Sequence, residues 1–270
     1  MKALTTPFYQ VLVRHADIRD DLAVGETVPA WSYASPDDPR LAELRERYGL
    51  ARVIEGRAEL DAIRALLDWA YRIVEHDGGA HNPAPRDALN ILRTCETTGA
   101  RVNCRMKAIV LCEALLAVGF RARYVTCLPA VSDGDCHVIT LAYAASVGKW
   151  VSVDPTFNTY FSAEDGTMLN VVEARRAYRS GQVPRHRRID LEARGPLCCG
   201  GIECASYDEF YDLYMCKNSF RFACTLASEP GIDSHEAPAT VVLAPPDDPW
   251  VAEGGPAEWR RPVVVTHSKA

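Results

Sequence analysis

The sequence lacks most of the devices that announce a function. It has no Gly-rich phosphate loop, no internal repeat and no long low-complexity tract. That excludes a phosphate-cradling loop, a solenoid and a fibrous protein. The start, MKALTTPFYQVLVRHADIRD, has one early Lys, and its apolar stretch at 8–13 is broken by Gln10 and followed by Arg14 and His15. This is too short and too polar for a signal-peptide core, and no apolar run approaches a membrane span. The chain as numbered is therefore expected to be cytoplasmic, with no membrane partner. A formal charge of −6 argues against nucleic acid as a partner. Ten cysteines are present, yet they form no C-x-x-C pair, and no H-x-x-x-H follows the CCGGIEC run that holds Cys198, Cys199 and Cys204. Free thiols are the expectation, several of them buried, with no metal and no cofactor. A metal-binding protein built on Cys198, Cys199 and Cys204 is the reading this leaves to test.

The composition itself is that of a globular protein, 48% hydrophobic and 24% charged over 270 residues, enough for a sizeable core. SPDDPRLAELRERYG predicts a short helix, started at Ser35-Pro36 and stopped at Gly49. The clearest amphipathic helix follows, with Ile63, Leu66, Leu67, Ala70, Ile73 and Val74 on one face and Gly78-Gly79 as its end. A second lies in HNPAPRDALNILRTCETTG, with Pro85 near its start. A third begins at Asn103-Cys104 and runs to Gly119. ARYVTCLPA, CHVITLAYA and KWVSVDPT then have strand-like composition, the last two around a short ASVG connection. Helices precede a hairpin, so the fold class is α+β. Further on, a helix is predicted after EDGTMLN, a solvated basic cluster in PRHRRIDLEARG, and a helix at 207–215 leading into a strand at 219–226. The VVL and VVV runs of the Pro-rich tail read as short edge strands.

Three residues in this frame carry chemistry. Cys is a mediocre helix former, yet Cys104 opens a helix, where the dipole and unpaired backbone N–H groups favour thiolate. His137 follows 33 residues later and Asp154 another 17. If the hairpin turns between Ala145 and Ser146, residues whose numbers sum to 291 face each other, as 137 and 154 do. A carboxylate beside the imidazole would fix its tautomer and leave the other nitrogen for the thiol. The Cys104 backbone N–H is one oxyanion donor. Asn103 is a candidate second donor, although a helix N-cap explains it equally well. Each residue alone also has a plain structural role: a packed Cys, a half-buried His, a turn-initiating Asp-Pro.

With Asn103-Cys104 opening a helix, Gly119-Phe120-Arg121-Ala122-Arg123-Tyr124-Val125 after it, His137 opening a strand, and Lys149-Trp150-Val151-Ser152-Val153-Asp154-Pro155-Thr156, the sequence resembles the transglutaminase-like superfamily of papain-like thiol enzymes. The resemblance covers about 57–160 and extends faintly through 169–175 and 217–220. It implies Cys104 as nucleophile, His137 as general base then acid, Asp154 as the orienting carboxylate, and Trp150 as a substrate-site candidate. It implies an N-terminal segment at 1–56 packed on the core, a catalytic domain at 57–228 and a Pro-rich extension at 229–270. The chain departs from the family's pattern at Val102, where many members have Gly, and at Arg105 and Met106, where aromatics often follow the nucleophile. The calcium-binding elements of the large animal enzymes are not recognisable. The expected function is a cysteine-dependent acyl-transfer enzyme of bacterial type, a peptide or amide hydrolase by preference. The alternatives are an amide-forming acyltransferase or transglutaminase using an amine acceptor, and a non-catalytic binding protein that keeps the fold. Peptides, amides or thioesters are the expected substrates. The oligomeric state is not legible.

Overall fold

The computed structural model describes residues 2–18, 31–131, 134–192, 195–235 and 238–249, together with the backbone of 263–265. Parts of the expected polar loop after Pro129, of the basic cluster and of the Pro-rich tail lie outside the described residues. Helix α1 (Pro7–Arg14) and the short strand β1 (Ser32–Tyr33) precede a helical block of α2 (Pro39–Arg47), α3 (Leu50–Ile54), α4 (Glu59–Ile73), α5 (Ala88–Thr98) and α6 (Cys104–Ala117).

Short polar side chains start these helices. Asp38, Asp87 and Asn103 accept backbone N–H groups at the N-termini of α2, α5 and α6. The first of these corrects the expected start of α2: the helix begins at Pro39 because Asp38 caps it, not at Ser35-Pro36. Helix α5 ends on Gly99 in the left-handed region (φ 69°), whose N–H returns to the Cys95 carbonyl. Helix α4 stops at Ile73, before the predicted glycines. The chain leaves the helix there so that Glu75 and Asp77 can exchange backbone hydrogen bonds with Val102. That bridge fixes the segment leading into Cys104.

Helix α6 is buried on all sides. Every residue from Met106 to Ala117 is buried, Lys107 and Glu113 included. Lys107 Nζ donates to the carbonyls of Tyr71 and Val74, capping the end of α4. Glu113 accepts from the backbone N–H groups of Ala88 and Gly231. Both buried polar side chains thus tie neighbouring segments to the central helix.

Strands β2 (Ala122–Leu128), β3 (His137–Ala144) and β4 (Lys149–Val153) follow. Then come β5 (Phe161–Ser162), α7 (Val171–Arg179), β6 (Arg185–His186), β7 (Leu197–Cys199), β8 (Ile202–Cys204) and α8 (Tyr207–Lys217). The chain closes with β9 (Arg221–Thr225), β10 (Ala227–Ser228), β11 (Thr240–Leu243) and β12 (Val263–Val265). The main sheet has the order β12-β11-β9-β2-β3-β4, antiparallel except for the β11–β12 pair. One face, with Val138, Ala142, Val151 and Val153, packs on α6 and the helical block. The other, with Val125, Cys127, Ile139 and Phe222, packs on Phe157, Phe161, α7 and α8. The architecture is therefore α+β, helices first and an antiparallel sheet after, as the residue pattern predicts. The VVL run is not an edge: β11 is paired on both sides, and of the two runs only β12 lies at the sheet's margin.

The hairpin register also differs from expectation. Thr140 faces Val153 and Ala144 faces Lys149, with a 3-10 turn at Ala145–Val147 and Gly148 in the left-handed region between them. Facing residues sum to 293, not 291. The turn is centred one residue further on, at the middle of the ASVG connection, where the 3-10 turn ends on Gly148 at positive φ. A shift of two in the sum keeps every side chain on its predicted face.

The N-terminal residues are held by charge and packing. Asp17 accepts from Arg175 and Arg176 of α7 at 2.7 and 3.0 Å, and Leu12 shares a cluster with Tyr178, Leu213 and Phe220. The basic cluster is only partly solvated: Arg187 pairs with Asp68 at 2.8 Å, whereas Arg188 is exposed. Since α6 organises both the helical block and one sheet face, trimming it should be costly. Leu111, fully buried, is expected to lose about 2–5 kcal/mol of stability as Leu111→Ala. Chemical denaturation with an unchanged m-value checks it, and a loss under 1 kcal/mol would contradict the central role given to α6.

Candidate active site

Cys104 is the first residue of α6, with Asn103 as its cap. Asn103 Oδ1 accepts from the Met106 N–H and the Asn103 carbonyl accepts from Lys107. The backbone N–H groups of Cys104 and Arg105 are therefore the uncommitted donors of the first turn. They point out of the helix N-terminus, where a developing oxyanion would sit.

His137 opens β3 next to this helix end. Its Nε2 lies 2.6 Å from Asp154 Oδ2, and both residues are 1% exposed. Cys104 lies close enough to His137 for each to shift the other's ionisation, and with Nε2 taken by Asp154, Nδ1 is the nitrogen left to face the thiol. The structure thus brings Cys104, His137 and Asp154 together. The His137–Asp154 contact is diagonal, not directly cross-strand, since the shifted register puts Cys127 of β2 opposite His137 and Val153 opposite Thr140.

The turn after β4 holds the carboxylate. Asp154 exchanges backbone hydrogen bonds with Thr159, and its Oδ1 accepts from the Thr156 N–H at 2.9 Å. Asn158 lies between them in the left-handed region, φ 52°, a conformation that Asn tolerates better than most side chains. The imidazole packs between Phe157, at 5.7 Å between ring centroids, and Tyr214, at 5.2 Å. Tyr214 reaches from α8, and its hydroxyl is tethered to Asp135 and to the Cys136 carbonyl at 3.0 and 3.1 Å.

These surroundings set the charges. Burial disfavours the charged imidazolium, but the charge and hydrogen bond of Asp154 and the adjacent thiol outweigh it, and His137 is held up to about 10. Burial likewise opposes ionisation of Cys104. The hydrogen bond and charge of His137 and the Val138 backbone N–H overcome it, so the thiol is held below its ordinary value. Together the two directions favour passing the proton from the thiol toward the imidazole. Cys112 and Cys127 are buried without such a partner, and burial pushes both thiols up.

Two sequence candidates fall away from the centre. Asn103 Nδ2 donates to Asn82 and to the Ala80 carbonyl, so the whole amide is spent on the cap and its neighbours. Trp150 faces Tyr143, six residues along β3 from His137, which is about 20 Å of strand. Its ring stacks on Tyr33 instead. The rings of Phe157 and Tyr214 were not legible beforehand. Phe157 follows Asp-Pro-Thr directly, a local signal that could have pointed to it, whereas Tyr214 is 77 residues from His137 in sequence and offers none. Cys198 and Cys199 lie on β7 and Cys204 on β8, with Cys198 exposed opposite Glu203. Among the described residues no group of three or more His, Cys, Asp or Glu side chains is placed to hold a metal ion. No helix among them is long and apolar enough to cross a membrane.

No curated protein matches the chain. Solved structures that resemble it include a protein from Cytophaga hutchinsonii provisionally described as a cysteine protease, at 26% identity and a TM-score of 0.33, over 43% of this chain and 39% of that one. Another, from Parabacteroides distasonis and provisionally described as a protease, has 15% identity and a TM-score of 0.29, over 42% of this chain and 25% of that one. Red sea bream transglutaminase has 12% identity and a TM-score of 0.31, over 62% of this chain and 34% of that one. The chain spans well under half the length of each. Residues 49–155, the stretch that holds Cys104, His137 and Asp154, match the core model of the transglutaminase-like superfamily.

Proposed function

We propose that this protein is a cysteine-dependent acyl-transfer enzyme that works through a thioester at Cys104, with hydrolysis of a peptide or amide as its reaction. The observation that carries the reading is the chain of contacts from Cys104 through His137 to Asp154, built on the open end of a buried helix. In the first half-reaction Cys104 Sγ attacks the carbonyl carbon. The oxygen takes the negative charge and faces the N–H groups of Cys104 and Arg105. His137 gives its proton to the leaving amine, the C–N bond breaks, and the thioester remains. In the second, His137 takes a proton from water as it attacks the thioester, and the acid leaves with the thiolate restored. Asp154 holds the ring in the tautomer and orientation both steps need.

Mass spectrometry of wild-type and Cys104→Ala protein with peptide, amide and thioester panels tests this directly. A covalent adduct of acyl mass on Cys104 is expected in wild type only. Product amide in place of acid when amines are added would instead favour an acyltransferase. His137→Ala is expected to lower turnover about 10³-fold or more, and Asp154→Asn about 10²-fold or more, with the fold kept. Activity that survives both would sink the triad. The pH profile should be bell-shaped, rising as Cys104 ionises and falling as His137 loses its proton near 10.

The same shift governs stability. His137 is held above its ordinary 6.5, up to about 10, so the folded state binds its proton more tightly. The resulting stabilisation is complete below 6.5 and fades as pH rises through about 10. Unfolding free energy measured from pH 6 to 10 should fall on the alkaline side in wild type, and Asp154→Asn should flatten that slope. An equally steep fall in the variant would show that Asp154 is not the cause.

A further inference from the structure

The strongest unexplained feature lies away from the thiol, at the other end of the hairpin. A cavity of about 490 Å³ opens there, within the range of small-molecule sites. Its walls are the apolar side chains of Leu141, Val172, Val241 and Leu243, with Trp31 and Trp150 beside Arg123. Arg123 is 8% exposed. Its guanidinium carbon lies 3.8 Å from the ring centre of Trp31 and 4.2 Å from that of Trp150. Arg123 Nη2 donates to the Tyr33 hydroxyl, the Cys224 thiol is a further contact, and Nε has no hydrogen-bond partner. Among the described residues no carboxylate pairs with it. The same cavity is lined by Arg121, stacked at 4.2 Å on Tyr143.

A buried cation without a counter-ion is costly, and cation–π contacts offset only part of that cost. Buried arginines are ordinarily matched by carboxylates, as Arg221 is here by Asp248 and Arg175 by Asp17. Burial holds Arg123 below its ordinary value, in keeping with a charge that lacks compensation. With two indole rings within 4.2 Å of its carbon and Nη2 on the Tyr33 hydroxyl, the guanidinium has its remaining N–H groups left to offer, and these suit a carboxylate. The apolar walls suit a hydrocarbon body, not a sugar or a free inorganic anion.

We infer that this cavity is a binding site for a small carboxylate with an apolar body, its carboxylate on Arg123 and its chain along Leu141, Val172 and Leu243. The site is separate from the thiol centre and stands whatever reaction Cys104 performs.

Octanoate, octan-1-ol and octylamine are the probes, with titration calorimetry and the fluorescence of Trp31 and Trp150 as readouts. Octanoate should bind at least tenfold more tightly than octanol, and octylamine should not bind. Arg123→Met should cost octanoate at least tenfold and erase its advantage over octanol, while Arg123→Lys keeps part of it. Leu243→Trp, which fills the cavity and leaves the charge, should abolish binding of both. The variants are compared only where circular dichroism shows a native melt. If Arg123→Met does not fold, the octanoate-to-octanol ratio in wild type and the loss in Leu243→Trp still decide. Absence of octanoate binding, equal affinity for octanol, or binding untouched by Leu243→Trp would each overturn the inference.

Discussion

The contact between His137 Nε2 and Asp154 Oδ2, 2.6 Å long and closed to solvent, is the constraint around which the local structure is arranged. Burying an imidazole and a carboxylate is unfavourable unless every polar atom finds a partner. Asp154 meets that condition through its backbone exchange with Thr159 and the Thr156 N–H. His137 meets it through Asp154 on one nitrogen and Cys104 on the other. The rings of Phe157 and Tyr214 then exclude water and keep the pair coupled. Such a pair is weak support for the fold and strong support for a charge state. It holds a proton on the imidazole and so draws the thiol toward thiolate.

The position of Cys104 depends on a different element, the buried helix α6. A helix start is a usable anion site only if it is held still. Here the Val102 bridge to Glu75 and Asp77, the Asn103 cap and the Lys107 contacts to the end of α4 all act within the first turn or just before it. The sheet is fastened to the same helix by the Thr140 hydroxyl, which donates to the Ala108 carbonyl at 3.0 Å. Cys104 and the strand bearing His137 are therefore positioned against one rigid body, and the short range of the contacts explains why so few residues suffice.

What could be read from sequence follows from how local each signal is. The start of α6 was legible because Asn103 caps and Cys104 does not. Its face pattern was not informative, since a helix buried all round has no polar face to mark it. His137 and Asp154 could be put on one face from strand periodicity alone, and an error in the turn's centre left that face intact because the register shift was even. Their exact pairing is missed by a turn centred between Ala145 and Ser146, whereas the ASVG connection at 145–148 is symmetric about Ser146 and Val147, as the 3-10 turn and Gly148 make it. Trp150 was misplaced for the opposite reason. It is close to Asp154 in sequence, but a strand carries a residue about 3.3 Å further with each step. Asn103 had two roles open, and the cap took it. Long-range partners such as Tyr214 on His137, or Asp17 on Arg175, leave no periodic trace and required the fold.

The family departures gain a physical account once the packing is known. Val102, where many members have Gly, is 1% exposed and supplies the backbone bridge that leads into Cys104. Met106 is wholly buried and serves the core. Arg105 pairs with Asp233 at 3.0 Å, and the same carboxylate accepts from Arg86 and from the Tyr124 hydroxyl. About two turns further along α6, Glu113 accepts the Gly231 N–H, and burial pushes its carboxyl up to about 8. Two side chains of α6 thus grip the short 229–235 segment, which in turn leads to β11 inside the main sheet. A stretch whose Pro-rich composition suggests an appendage is, in its described part, bonded to the helix that presents Cys104. Of the two positions after Cys104, Arg105 holds that segment and Met106 fills the core, and the rings around the imidazole come from Phe157 and from α8.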